Sequence, residues 1–132
     1  MEEYNRKDTI CALATGVGMG AIAIIRTSGI KAFSICNKIF SKNIKNVKSH
    51  SIHFGILKKE EEVIDEVLIS FFKKPNSFTG EDMFEISCHG SVFIQQQILQ
   101  LLTENGARIA KPGEFTLRAF INGKMDLSQA EA

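Results

Sequence analysis

The chain has 132 residues, 44% of them hydrophobic and 23% charged, enough for the core of one domain and too apolar for a disordered chain. Sixteen basic residues against fifteen acidic ones leave a net charge of +1, which excludes a general electrostatic pull toward nucleic acid or an anionic membrane. No apolar run reaches the roughly 18 residues of a membrane span, no secretory leader is visible, and three scattered cysteines (Cys11, Cys36, Cys88) make no disulfide framework, so a cytoplasmic chain is expected.

From the amino terminus, Asp8 to Ala14 is a short β-prone run, followed by the glycine loop Gly16-x-Gly18-x-Gly20 and an apolar strand from Ala21 to Arg26. The loop is no Walker A motif, and a strand rather than a helix follows it, so it reads as a tight turn between paired strands rather than a phosphate cradle. Ser28-Gly29 is expected to open a helix whose apolar positions are Ile30, Phe33, Cys36, Ile39 and Phe40. Lys38, Lys42, Lys45 and Lys48 crowd the connector beyond it and read as a solvated loop.

Ser51 to Leu57 alternates Ile52, Phe54 and Ile56 on one face, and Val67 to Phe72 is a second strand. The charged turn from Lys58 to Glu62 makes them a hairpin. After a loop from Lys73 to Asp82, Met83 to Ser87 forms a strand with Phe84 and Ile86 on the face opposite Met83, Glu85 and Ser87. Val92 to Glu104 is a helix stopped at Gly106, with Val92, Ile94, Ile98, Leu101 and Leu102 on one face. A short strand from Arg108 to Ala110, a turn at Lys111-Pro-Gly-Glu-Phe and a helix from Thr116 to Asn122 follow. Ser128-x-x-Glu131 is a capping box that implies a further helix. The expected class is α+β, a mixed sheet carrying about three helices.

The polar block Pro75 to Gly90 is the candidate site, because rigid strands next to polar loops are where sites are built. Within it Glu85 sits mid-strand between Phe84 and Ile86, so its carboxylate must face solvent, a partner cation or a ligand's donors. Arg26, at the end of its strand, is placed to meet such a carboxylate or an acidic ligand, and Lys124 follows a turn at Asn122-Gly123 that presents it to a pocket. Either is equally readable as a surface charge. His50, His53 and His89 have no metal-ligand spacing, and nothing near Cys88 lowers a thiol pKa.

Several stretches run in order along nearly the whole chain: Asp8-Thr-Ile10, Ala21-Ile-Ala-Ile-Ile-Arg-Thr-Ser-Gly29, Pro75-Asn-Ser-Phe-Thr-Gly-Glu-Asp82, Glu85, His89-Gly90, and Lys111 to Ala132. In these the chain resembles the amino-terminal domain of the MnmE (TrmE) family of tRNA-modification GTPases. The resemblance implies an α/β fold similar to the folate-binding domain of aminomethyltransferases. It also implies a homodimer through this domain and binding of 5-formyl-tetrahydrofolate or a related reduced folate at Arg26, Glu85 and Lys124.

It further implies domain bounds of 1–125 for the folate and dimerisation unit and 126–132 for the start of a helical domain. The GTPase domain, with its GTP, magnesium and potassium, is absent from this chain, which is then not expected to hydrolyse GTP alone. The implied partners are the flavoprotein MnmG and tRNA, with carboxymethylaminomethyl-uridine at the wobble position as the product. A stand-alone folate-dependent one-carbon transferase and a tRNA-binding domain are the alternatives. The near-neutral charge speaks against strong RNA binding by this piece alone. The chain departs from the family at Gly16-Val17, where prolines are usual, and it lacks a further folate-contacting lysine of the carboxy-terminal part.

Overall fold

The computed structural model describes residues 7–15 and 21–126, so the glycine loop from 16 to 20 and the capping box at Ser128 and Glu131 lie outside the described residues. Six strands form one mixed sheet: β1 (Ile10–Leu13), β2 (Ile22–Ser28), β3 (Ser51–Lys59), β4 (Glu62–Phe72), β5 (Met83–His89) and β6 (Arg108–Ile109). Their spatial order is β3-β4-β5-β2-β1-β6, antiparallel throughout except for β1 against β6. Three helices complete the expected α+β class: α1 (Ala32–Ile39), α2 (Val92–Glu104) and α3 (Glu114–Ile121).

Strand alternation divides the sheet into two unlike faces. Cys11, Ala23, Ile25, Ile69, Phe84 and Ile86 point to one face and join Ile35, Cys36, Ile98 and Leu102 of α1 and α2 in a single buried cluster. The other face carries Ile22, Ile24, Arg26 and Ser28 on β2 and Met83, Glu85, Ser87 and His89 on β5, paired row by row. Its β1 end is roofed by α3 and the loop from 73 to 82, while its β3 end is open.

Several expectations shift here. Ser28 does not open a helix: it ends β2, and α1 starts at Ala32. Between them Gly29, at φ +144°, turns the chain, and Thr9 Oγ1 accepts the Lys31 N–H at 2.9 Å. Ile30 is therefore exposed rather than part of the helix face. The hairpin is longer than expected, because Lys58 and Lys59 pair across with Val63 and Glu62 and only Glu60 and Glu61 turn. In β3 the apolar set Ile52, Phe54 and Ile56 lies off the core: Ile52 is 65% and Phe54 58% exposed, whereas Gly55 and Leu57 are buried. Gly55 faces the core because the Phe40 ring occupies the space a Cβ would need.

β5 runs to His89, two residues beyond the expected end, with its two faces as expected. α2 has the expected bounds, capped by Ser91, whose Oγ accepts the Ile94 N–H at 3.4 Å. Gln95, not Val92, shares its buried face with Ile98, Leu101 and Leu102. β6 is one residue shorter than expected. α3 begins two residues early because Gly113, at φ +76°, supplies the left-handed residue that lets the turn run straight into the helix.

Candidate functional site

Arg26 and Glu85 are direct cross-strand partners on β2 and β5, on the face away from α1 and α2. Their side chains join: Arg26 Nε donates to Glu85 Oε2 at 2.8 Å, and Nη2 lies 2.8 Å from the same oxygen. Among the described residues Glu85 Oε1 has no hydrogen-bond partner, so it remains open as an acceptor. The Arg26 guanidinium is flanked by two rings, 5.2 Å from the Phe78 centroid and 5.7 Å from that of Phe115. Phe78 comes from the polar block and Phe115 from α3, so three separate segments converge on one cation.

A cleft of about 360 Å³ adjoins this pair, lined by Ala12, Leu13, Ala110, Pro112 and Phe115 among others. Ala12 is the β1 partner of Arg26, and Phe115 is one of the two rings against its guanidinium, so the cleft neighbours the pair. A larger cleft of about 490 Å³ lies against Gly29, Lys74, Gly80, Glu81 and Asp82. Its acidic groups are already engaged: Glu81 accepts from Ser28 Oγ and Arg118, and Asp82 accepts the Lys74 N–H. The smaller cleft, which shares Phe115 with the Arg26 site and lies one strand over from it, is the better place for a planar ligand with donors on its edge.

Lys124 is exposed and joined by no ion pair or hydrogen bond to Arg26 or Glu85 among the described residues. It lies over the polar block, its Cγ 3.3 Å from where a Cβ on Gly80 would stand. The structure thus brings Arg26 and Glu85 together and sets Lys124 at the rim of the loop that contributes Phe78.

What holds that loop is a network of charges that the sequence reasoning passed over. Arg118, on α3, is 1% exposed, and its Nη1 donates to Glu81 Oε1 and Oε2 at 3.1 and 3.3 Å. Its Nη2 lies 3.7 Å from Glu114 Oε2. Glu114 in turn accepts two bonds from Arg108 at 3.0 and 2.7 Å and the Lys111 N–H at 2.8 Å. Arg108 also meets Asp8 at 2.9 Å, and the Glu114 bonds hold its guanidinium more firmly protonated than usual. At the other end Ser28 Oγ donates to Glu81 Oε1 at 2.8 Å and lies 2.7 Å from Thr79 Oγ1, while Asn122 Nδ2 donates to the Thr79 carbonyl at 2.8 Å. In sequence Glu114 falls in the turn ahead of the expected helix, so its spacing of four from Arg118 on α3 goes unread.

The remaining candidates have other duties. His89 Nδ1 sits 2.7 Å from Asp65 Oδ1, and its backbone N–H donates to Oδ2 of the same carboxylate, tying the ends of β4 and β5. Burial pushes the Cys11 and Cys36 thiols up to about 12 and that of Cys88 to about 11, so all three stay protonated and unreactive at neutral pH. None of them supplies the nucleophile that a stand-alone transferase would use.

Comparison with known proteins adds the last observations. The family described as GTP-binding protein TrmE N-terminus matches residues 9–124. The chain is 60% identical over 131 residues to the tRNA modification GTPase MnmE of Flavobacterium johnsoniae, covering 96% of this chain and 28% of that protein. It is 57% identical over 129 residues to MnmE of Cytophaga hutchinsonii, covering 97% and 28%. Against MnmE of Thermoanaerobacter pseudethanolicus it is 53% identical over 131 residues, covering 95% and 28%. The chain therefore spans little more than a quarter of the length of these curated relatives.

Proposed function

The chain belongs to the TrmE N-terminus family, and from that premise we propose that it is the reduced-folate-binding and dimerisation module of a tRNA modification GTPase. The bound species is 5-formyl-tetrahydrofolate or a close relative. In the whole assembly the module acts with the flavoprotein MnmG in the cytoplasm to build carboxymethylaminomethyl-uridine at the tRNA wobble position. GTP hydrolysis, with its magnesium and potassium, falls to the parts of the relatives that this chain does not cover.

One observation carries the folate reading: the Arg26–Glu85 pair beside an open cleft, with Glu85 Oε1 unclaimed and phenyl rings on the cation. A reduced pterin presents an amino-pyrimidinone edge of N–H donors, which the open Glu85 Oε1 suits as an acceptor. Arg26 holds that carboxylate in place through Nε and Nη2, and its own remaining donors suit a carbonyl oxygen. Lys124, exposed beside Gly80, suits the carboxylates of the folate's glutamate tail. When bound, the folate would supply the one-carbon unit; the chain's own residues bind and orient it.

Calorimetric titration of the chain with 5-formyl-tetrahydrofolate tests this. Charge-assisted hydrogen bonds contribute about 1.5–3 kcal/mol each, so Glu85→Gln is expected to weaken binding by roughly 10- to 100-fold. Unchanged affinity in Glu85→Gln, with the variant still folded, contradicts the assignment of Glu85.

The dimer reading is supported by the same face of the sheet. Ile22, Ile52, Phe54 and Leu68 are each 45–65% exposed there, and Ile52 lies in the same cross-strand row as Ser70, Glu85 and Arg26. An apolar strip of this kind on a folded domain marks a contact surface. Phe54→Glu is expected to convert a dimer to a monomer in sedimentation velocity. A dimer that persists in Phe54→Glu at the same concentration places the contact elsewhere.

A further inference from the structure

The near-neutral net charge hides a strong segregation. Between Thr27 and Lys59 the sequence has seven lysines and no aspartate or glutamate, whereas the next seven residues carry five acids. The structure turns the first of these segments into a shaped surface rather than a loose loop. Ile44 and Val47 are buried at 4% and 7% exposure, and they pin the connector between α1 and β3 to the core. Ser41 N–H donates to the Ile56 carbonyl and Ser41 Oγ accepts the Ile56 N–H, both at 2.9 Å. His50 N–H donates to the Phe71 carbonyl at 2.6 Å, closing the far end.

Lys42, Lys45 and Lys48 recur every third residue around these two anchors, and all three are exposed. Lys38, in the last turn of α1, and Lys73, whose N–H donates to Ser49 Oγ at 2.9 Å, extend the row at its two ends. Among the described residues none of these five lysines has an acidic partner; of the lysines in the stretch only Lys59 is ion-paired, to Glu104. The cations are therefore uncompensated and their backbone positions are fixed.

We propose that this ledge is a contact for the phosphodiester backbone of a folded RNA, the tRNA of the modification reaction. It rests on the reading of the chain as a tRNA-modification module, but on no part of the folate site. Three features favour this occupant. Lysines act as point charges toward phosphate, and the exposed Asn43 and Asn46 between them are neutral donors of the kind that accompany phosphate contacts. The apolar side chains of the connector, Phe40, Ile44 and Val47, are all buried, so the ledge offers nothing to insert into a lipid surface or to fill a protein groove. The near-neutral total is no obstacle, because backbone binding responds to the local density of cations and not to the sum over the chain.

The test is fluorescence anisotropy of a labelled tRNA against the chain across a salt series. The triple variant Lys42→Gln, Lys45→Gln, Lys48→Gln is expected to bind at least about tenfold more weakly near 0.1 M salt, and to lower the slope of log K against log salt by about 2–3. A control triple with the same charge change, Lys31→Gln, Lys58→Gln, Lys59→Gln, is expected to stay within about threefold of the parent, as is the charge-preserving Lys42→Arg, Lys45→Arg, Lys48→Arg. Equal losses in the ledge and control triples, loss in the arginine triple, or no binding by the parent chain would each overturn the proposal. Because these lysines lie away from Arg26 and Glu85, folate titration of the same variants separates a failure here from a failure of the folate reading.

Discussion

Replacing Arg118 by methionine is expected to cost the fold about 3–5 kcal/mol, because removing one partner of a buried ion network leaves the others buried and uncompensated. Arg118 stands between Glu81 and Glu114, with Glu114 only 2% exposed on its side chain. The Arg108 bonds to Glu114 survive the change, but Glu81 loses the guanidinium that holds the 73–82 loop to α3. Since whole-domain stability is about 5–15 kcal/mol, the variant would lose a large part of it. The urea midpoint is expected to fall sharply with an unchanged slope. Removing the exposed pair Lys59–Glu104 by Lys59→Met is expected to change stability by less than about 1 kcal/mol. Equal, small effects of both substitutions would mean that the network contributes no more than a surface pair.

Gly29→Ala is expected to be nearly as damaging, at roughly 2–5 kcal/mol, from backbone strain and overpacking together. At φ +144° the position disfavours any L side chain, and a Cβ there would stand 2.6 Å from both Thr9 Cα and Thr9 Oγ1. The Thr9 backbone cannot swing aside as a long side chain would, and Thr9 Oγ1 is the acceptor that starts α1. The Gly29 N–H also donates to the Asp82 carbonyl at 3.0 Å, so the strain reaches the start of β5. Gly113→Ala is the control. Its φ of +76° is equally left-handed, but nothing lies within 4 Å of the added Cβ, so only conformational strain of about 1–2 kcal/mol is expected. Thermal unfolding of the two variants side by side separates steric clash from backbone strain; equal shifts would deny the clash at Thr9.

Neither site was legible in the sequence, but others were. Period-two alternation placed Phe84 and Ile86 opposite Glu85, and the turn at Gly106 ended α2 where expected. The position of Arg26 at a strand end suggested a carboxylate partner, and the register of β2 on β5 supplies it. Other readings failed because one residue type serves two purposes. Ser-Gly is both a helix-opening pair and a strand end, and only Thr9, just ahead of β1, decides between them. Ile52 and Phe54 have the alternation of a core strand, but alternation does not say which face is covered, and α1 and α2 cover the other one.

Charges were the least legible. In sequence Glu114 falls in a turn and Arg118 on a short helix, and their burial depends on Glu81 and Arg108 arriving from distant segments. The same limitation hid the lysine ledge: a lysine-rich connector reads as solvated loop until Ile44 and Val47 are seen to hold it in place. The polar block Pro75 to Gly90, in turn, divides its labour. Thr79 and Glu81 are spent on structure, whereas Phe78 and Glu85 face the cleft side of the sheet.

The central claim is that the Arg26–Glu85 face holds a reduced folate, and chemical-shift mapping tests it most directly. With the chain labelled with nitrogen-15 and carbon-13, titration with 5-formyl-tetrahydrofolate is predicted to move the signals of Arg26, Phe78, Glu85 and Phe115 together, with one saturation curve. No perturbation at millimolar ligand, or perturbations confined to the open strip around Ile22, Phe54 and Leu68, would contradict it.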